Sequence, residues 1–225
     1  MTKNKNTEVR RTLRTPCAQL RVREAEGEAP GRTITGYAVL FNTPSAPLWD
    51  DDESEAREII APEAISRELL DSCDIKFTMF HDRRLLLGRS NCGQGTLEYF
   101  VDEKGVGFNL ELPDSPNGNE ALELVRRGDI SGCSFAFTTR YGDRDCVERT
   151  TKMVNGRTLI TYTVKTITGV YDFTLAADPA YPDTSVEARE FAAVLREAGA
   201  GAKPADEKVT AQVAEMRRAA ARASI

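Results

Sequence analysis

The sequence predicts a mainly β fold with a few flanking helices, an α+β arrangement, over residues 16–198. Three observations carry this reading. Short runs rich in β-branched and aromatic residues recur along the chain. Asn155-Gly156 lies between two such runs, and that dipeptide is the strongest short-range hairpin signal. The helical patterns are short, and each has a recognisable start or stop. A chain of 225 residues can bury roughly 70% of its unfolded surface, so the core needs no covalent staples.

Residues 1–15 are polar and basic and read as a mobile N-terminal arm. Strand signals follow at residues 20–23 and 33–41. The acidic stretch 50–55 reads as an exposed loop. Pro62 then opens a short helix through Leu70, because proline fits the first turn of a helix. Strands resume at 75–80, 96–101 and 105–112. A second helix spans about 119–127, with Ala121, Leu122, Leu124 and Val125 on one side and Gly128 as its stop. Residues 134–138 form the next strand, followed by the Asn155-Gly156 hairpin, which residues 164–168 complete. A further strand covers 170–176. Thr184 and Glu187 make a capping box before a helix with an apolar stripe of Ala188, Phe191, Ala192 and Leu195. Residues 199–225 read as a Gly/Ala-rich linker and an amphipathic tail, with Val209, Val213, Met216 and Ala220 at helical spacing.

Net charge −5 and a pI near 5.2 argue against a dedicated nucleic-acid surface, which needs a basic stripe. No apolar run approaches the ~20 residues that span a bilayer, and the polar N-terminus lacks a signal core. The expectation is a soluble protein at work inside a cell, with neither nucleic acid nor membrane as partner. Cys17, Cys73, Cys92, Cys133 and Cys146 are scattered and odd in number, and are expected to be reduced thiols. With one histidine and no Cys-x-x-Cys pair, the chain offers no usual zinc set, so neither a metal nor any other cofactor is expected.

Imidazole acid–base chemistry in this chain can come only from His81, which follows the strand-like run 75–80. A hydrolytic nucleophile needs a base to take its proton and a group to hold that base. The segment Gly132-Cys133-Ser134-Phe135-Ala136-Phe137 brings a serine into a strand just after a glycine turn. Alternation puts Cys133 and Ser134 on opposite faces, so one of them can meet His81. Ser134 shares its face with small Ala136, whereas Cys133 lies with Phe135 and Phe137; a cysteine hydrolase using Cys133 is the rival. Asp172 interrupts an otherwise apolar strand, where an ionised carboxylate is costly without a partner. A bond to the second ring nitrogen of His81 would supply one, with Asp82 as the second candidate.

Several short motifs fall in order: residues 36–42, 58–62, His81-Asp82, Leu87-Gly88-Arg89, Gly95-Thr96-Leu97, 105–108, 128–135 and Asp172-Phe173-Thr174-Leu175 with Pro179-Ala180. Over residues 18–190 the chain resembles the prohead (procapsid) maturation proteases of tailed bacteriophages. The resemblance implies a small closed β-barrel of the herpesvirus-assemblin type, surrounded by helices. It also implies a serine endopeptidase cutting scaffold or capsid-protein extensions within the immature procapsid, in the host cytoplasm. The family's histidine falls on His81, its nucleophile on Ser134 and its acidic third member on Asp172. Ala136, Thr174 and Ile65 stand where many members have glycine, serine and phenylalanine. Expected partners are the major capsid protein or its scaffolding segment as substrate, with homo-oligomerisation left open. Self-cleavage in the 199–204 linker is a further expectation. The alternative is a non-enzymatic scaffold or assembly protein with a degenerate protease domain.

Overall fold

The computed structural model describes residues 9–15, 19–23 and 31–177, all within one compact unit, Met1–Ser185. Strands and helices are numbered in chain order. The largest sheet has six strands in the order β1-β11-β14-β6-β7-β8. Its members are β1 (Val9–Thr15), β6 (Asp74–Met79), β7 (Asp82–Asn91), β8 (Gln94–Gly95), β11 (Gly132–Thr139) and β14 (Gly169–Ala176). A second sheet runs β2-β3-β10-β9, from β2 (Arg21–Val22), β3 (Thr33–Leu40), β9 (Leu97–Val101) and β10 (Gly105–Glu111). The third runs β12-β13-β5-β4, from β4 (Trp49–Asp50), β5 (Ser54–Ile60), β12 (Val147–Val154) and β13 (Arg157–Val164). Two α-helices, α1 (Arg67–Ser72) and α2 (Pro116–Arg127), complete the described elements with a 3₁₀ turn at Pro62–Ala64.

The mainly β expectation stands, but the closed barrel does not: the sheets are open. A barrel needs a continuous ladder whose stagger carries the last strand back to the first. Here three of the terminal strands, β2, β4 and β8, are two residues long and cannot extend a ladder. Between sheets, the isolated bridge described is Phe41 to Ile60. Packing joins the first two sheets instead. Phe77 on β6 and Phe108 on β10 are both fully buried, with ring centroids 4.7 Å apart. Phe135, Phe137 and Phe173 are also fully buried, and the first two stack at 4.8 Å.

Local chemistry explains where the elements differ from expectation. The single helix from Pro62 is broken: Ile65 takes extended angles, and Ser66 caps α1 by accepting from the Leu69 amide. The α2 helix begins at Pro116, earlier than the apolar stripe suggests, because Ser115 accepts from the Gly118 amide; Gly128 ends it at φ 78°. The acidic stretch is less of a loop than its charge implies. Asp51 turns the chain by accepting from the amides of Glu53 and Ser54, and β5 starts at once. The hairpin partner of β12 is β13 (Arg157–Val164), not residues 164–168. No strand was expected at β7, whose Arg83-Arg84-Leu85-Leu86-Leu87 breaks alternation; its register against β6 skips Leu87 and residues 83–85. Part of the segment expected as an arm, Val9–Thr15, pairs antiparallel with β11 along its length. The capping box at 184–187, the linker and the amphipathic tail lie outside the described residues.

The Phe77–Phe108 contact should anchor the two sheets. Phe108→Ala is expected to cost about 3–5 kcal/mol in urea unfolding, the usual range for a buried phenylalanine. A loss below about 1 kcal/mol would show that the sheets do not depend on this contact.

Candidate active site

Three neighbouring strands set a polar face. In the antiparallel β11–β14 pairing, Ser134 lies opposite Thr174 and Ala136 opposite Asp172. In the parallel β14–β6 pairing, Thr174 lies beside Thr78. Because side chains alternate, Ser134, Asp172, Thr174 and Thr78 share one face. Cys133, Phe135, Phe173, Phe77 and Met79 take the other face and enter the core. Between Ala136 and Phe137 the β11–β14 register slips, so Tyr171 is an extra residue on β14. This bulge directly precedes Asp172; such bulges re-aim side chains near functional sites.

His81 arrives over this face on a turn. Met79 pairs with Asp82, leaving Phe80 and His81 as a two-residue hairpin loop. Both have positive φ, 55° and 58°, as a type I′ turn requires. Asn-Gly is the usual choice there; a phenylalanine and a histidine at these angles each carry strain on the order of 1 kcal/mol or more. The turn is held by its surroundings. The Phe80 amide donates to the Leu175 carbonyl at 3.0 Å, and the His81 amide donates to Thr174 Oγ1 at 3.0 Å.

So placed, the imidazole bridges the other two residues singled out from the sequence. Its Nδ1 is 2.6 Å from Asp172 Oδ2, and its Nε2 is 3.0 Å from Ser134 Oγ. Thr78 donates to the other Asp172 oxygen at 3.0 Å and lies 2.9 Å from Thr174 Oγ1. A carboxylate can only accept, so Nδ1 carries a proton, and in the neutral ring Nε2 is then the acceptor. Ser134 and Thr174 are fully buried, Asp172 is 8% exposed, and the His81 side chain is 31% exposed. The Ser134 hydroxyl donates to the Leu13 carbonyl of β1 at 2.8 Å, so this carbonyl and Nε2 compete for its one proton.

The rival residues go elsewhere. Asp82 is turned toward Arg84, which donates to both its oxygens and holds its carboxyl down to about 2. Cys133 is buried on the opposite face, where desolvation pushes its thiol up to about 12. Sequence reasoning missed Thr78 as a support for the carboxylate and Leu13 as a partner of the serine. Neither had a distinguishing signal: Thr78 continues the polar alternation of Asp74 and Lys76 along β6, and Leu13 acts through its backbone carbonyl. Among the described residues no cluster of His, Cys, Asp or Glu could hold a metal, and no helix is long and apolar enough to cross a membrane.

The family model described as caudovirus prohead serine protease matches residues 18–197. Among solved structures, the capsid assembly protease gp21 of bacteriophage T4 is 11% identical, with 76% of this chain and 99% of that chain covered and a TM-score of 0.37. No curated protein matches the chain.

Two outcomes check this geometry. Iodoacetamide at pH 8 should alkylate exposed Cys92 in the native protein and spare Cys133, as read by peptide mass mapping; early labelling of Cys133 would contradict its burial. Thr174→Val removes the acceptor of the His81 amide and should destabilise the protein by about 1–3 kcal/mol, while Thr174→Ser should stay near wild type in the same denaturation assay.

Proposed function

Since this chain belongs to the caudovirus prohead serine protease family, we propose that it is a serine endopeptidase that cuts scaffold or capsid-protein extensions during procapsid maturation. In this reading Ser134 is the nucleophile, His81 the general base and acid, and Asp172 the group that orients the ring. The observation that supports it most is the bridging imidazole, 3.0 Å from the serine oxygen on one side and 2.6 Å from the carboxylate on the other. Both distances are within the reach that proton transfer demands.

His81 Nε2 takes the hydroxyl proton as Ser134 Oγ attacks the scissile carbonyl, then delivers it to the leaving amine. Asp172 keeps the proton of the ring on Nδ1 and stabilises the imidazolium that forms between these steps. Thr78 fixes the free oxygen of Asp172, and Thr174 fixes the backbone of the turn that carries the base. Water then hydrolyses the acyl-enzyme by the same proton path in reverse. The substrate is the capsid protein or its scaffolding segment, and the place of action is the immature procapsid in the host cell.

Co-expression with the coat protein tests the proposal. Wild type should shorten the coat protein, whereas Ser134→Ala and His81→Ala should each leave it full length. Asp172→Asn should keep the fold but slow cleavage, by up to ~10⁴-fold as in serine proteases whose ring tautomer is lost in this way. Processing at the wild-type rate by Ser134→Ala would falsify the assignment. Full-length coat protein with wild type, with shells still assembling, would favour the non-enzymatic scaffold.

A further inference from the structure

The strand that carries Ser134 is not at the edge of its sheet. β1, from the N-terminal end of the chain, covers that edge, antiparallel and in continuous register from Val9 opposite Thr139 to Thr15 opposite Cys133. Arg14 stands opposite Ser134 and Leu13 opposite Phe135. The Leu13 carbonyl is the one that accepts the Ser134 hydroxyl, at 2.8 Å. An extended peptide backbone with a carbonyl at the serine is the arrangement in which a protease meets its substrate, and addition of a strand to a sheet edge is a standard route to it.

We infer that β1 is a displaceable occupant of the substrate edge of β11: it holds Ser134 unreactive, and an extended segment of the substrate enters by taking its place. This rests on the reading of Ser134 as the nucleophile. The serine hydroxyl has one proton. While that proton goes to the Leu13 carbonyl it is not shared with His81 Nε2, and β1 occupies the edge where a substrate carbonyl would meet Oγ, so the first step of the reaction is held back. The same bond shows why β1 is not itself cut in this arrangement. A carbonyl that accepts the proton presents its oxygen to the serine, whereas attack requires its carbon to face Oγ with the hydroxyl turned to the base. Ser134 is moreover fully buried with β1 in place.

The strand is built for release. Among the described residues it ends the sheet and is paired on one side. Its sequence, Val9-Arg10-Arg11-Thr12-Leu13-Arg14-Thr15, has two large apolar residues and three arginines. Leu13 is the described anchor, 7% exposed. The replacing segment is therefore an extended chain with an apolar side chain where Leu13 now sits.

The test uses a fluorophosphonate probe, which reads serine reactivity without knowledge of the substrate, on the full-length chain. Leu13→Asp should label at Ser134 at least tenfold faster than wild type, and Leu13→Ala should label faster by a smaller factor. A synthetic peptide of residues 9–15, added in excess to Leu13→Asp, should return labelling to the slow rate. Equal rates for wild type and both variants, with thermal melts showing all three folded, would overturn the inference and leave the serine assignment intact. So would failure of the peptide to slow the variant. If Leu13→Asp does not fold, Leu13→Ala with and without peptide decides. No labelling of Ser134 in any folded form would overturn both readings.

Discussion

The site depends on the register of three adjacent strands. β14 lies between β11 and β6, antiparallel to one and parallel to the other, and this fixes which side chains stand together. A slip by one residue would turn Ser134 into the core and Cys133 out of it, because alternation exchanges the faces at every step. The apolar face guards against such a slip. Phe77, Phe135, Phe173, Met79 and Leu175 are all fully buried, and a shift would expose them together with loss of the polar contacts. The hydrophobic core on one side of the sheet thus specifies the chemistry on the other.

Strain at the turn is the second constraint. Phe80 and His81 stand in a region that glycine or asparagine would occupy more readily. A looser turn would form more easily but would let the ring swing away from the serine. Hydrogen bonds from both turn amides into β14 hold the strained form. Those same bonds tie the backbone of His81 to the strand that carries Asp172, the partner of its ring.

Much of the fold was legible, and its failures are instructive. Alternation found β3, β9, β10, β11 and β14, and the turn residues Asn155 and Gly156 found the β12–β13 hairpin. β7 stayed hidden because its irregular pairing leaves no period to read, and the break at Ile65 hid because its sequence is compatible with helix. Sheet closure is a long-range property with no local signal, so the barrel implied by resemblance could not be checked until the strand order was known. At the site, the lone imidazole, the interior carboxylate and the serine opposite a cysteine were each conspicuous in type. Their meeting was not, since it needs a parallel pairing between segments about a hundred residues apart. Leu13 gave no signal because its role lies in a backbone carbonyl, which every residue possesses.

The central position of β14 has one more consequence, for timing. It is the last strand described, and both its neighbours come from earlier parts of the chain. A ribosome would release β6 and the turn bearing His81, and later β11 with Ser134, well before the strand that must wedge between them. Pairings so distant in sequence form late, after the entropy of closing long loops has been overcome. The nascent chain would therefore carry His81 and Ser134 with nothing to align them until synthesis passes residue 176.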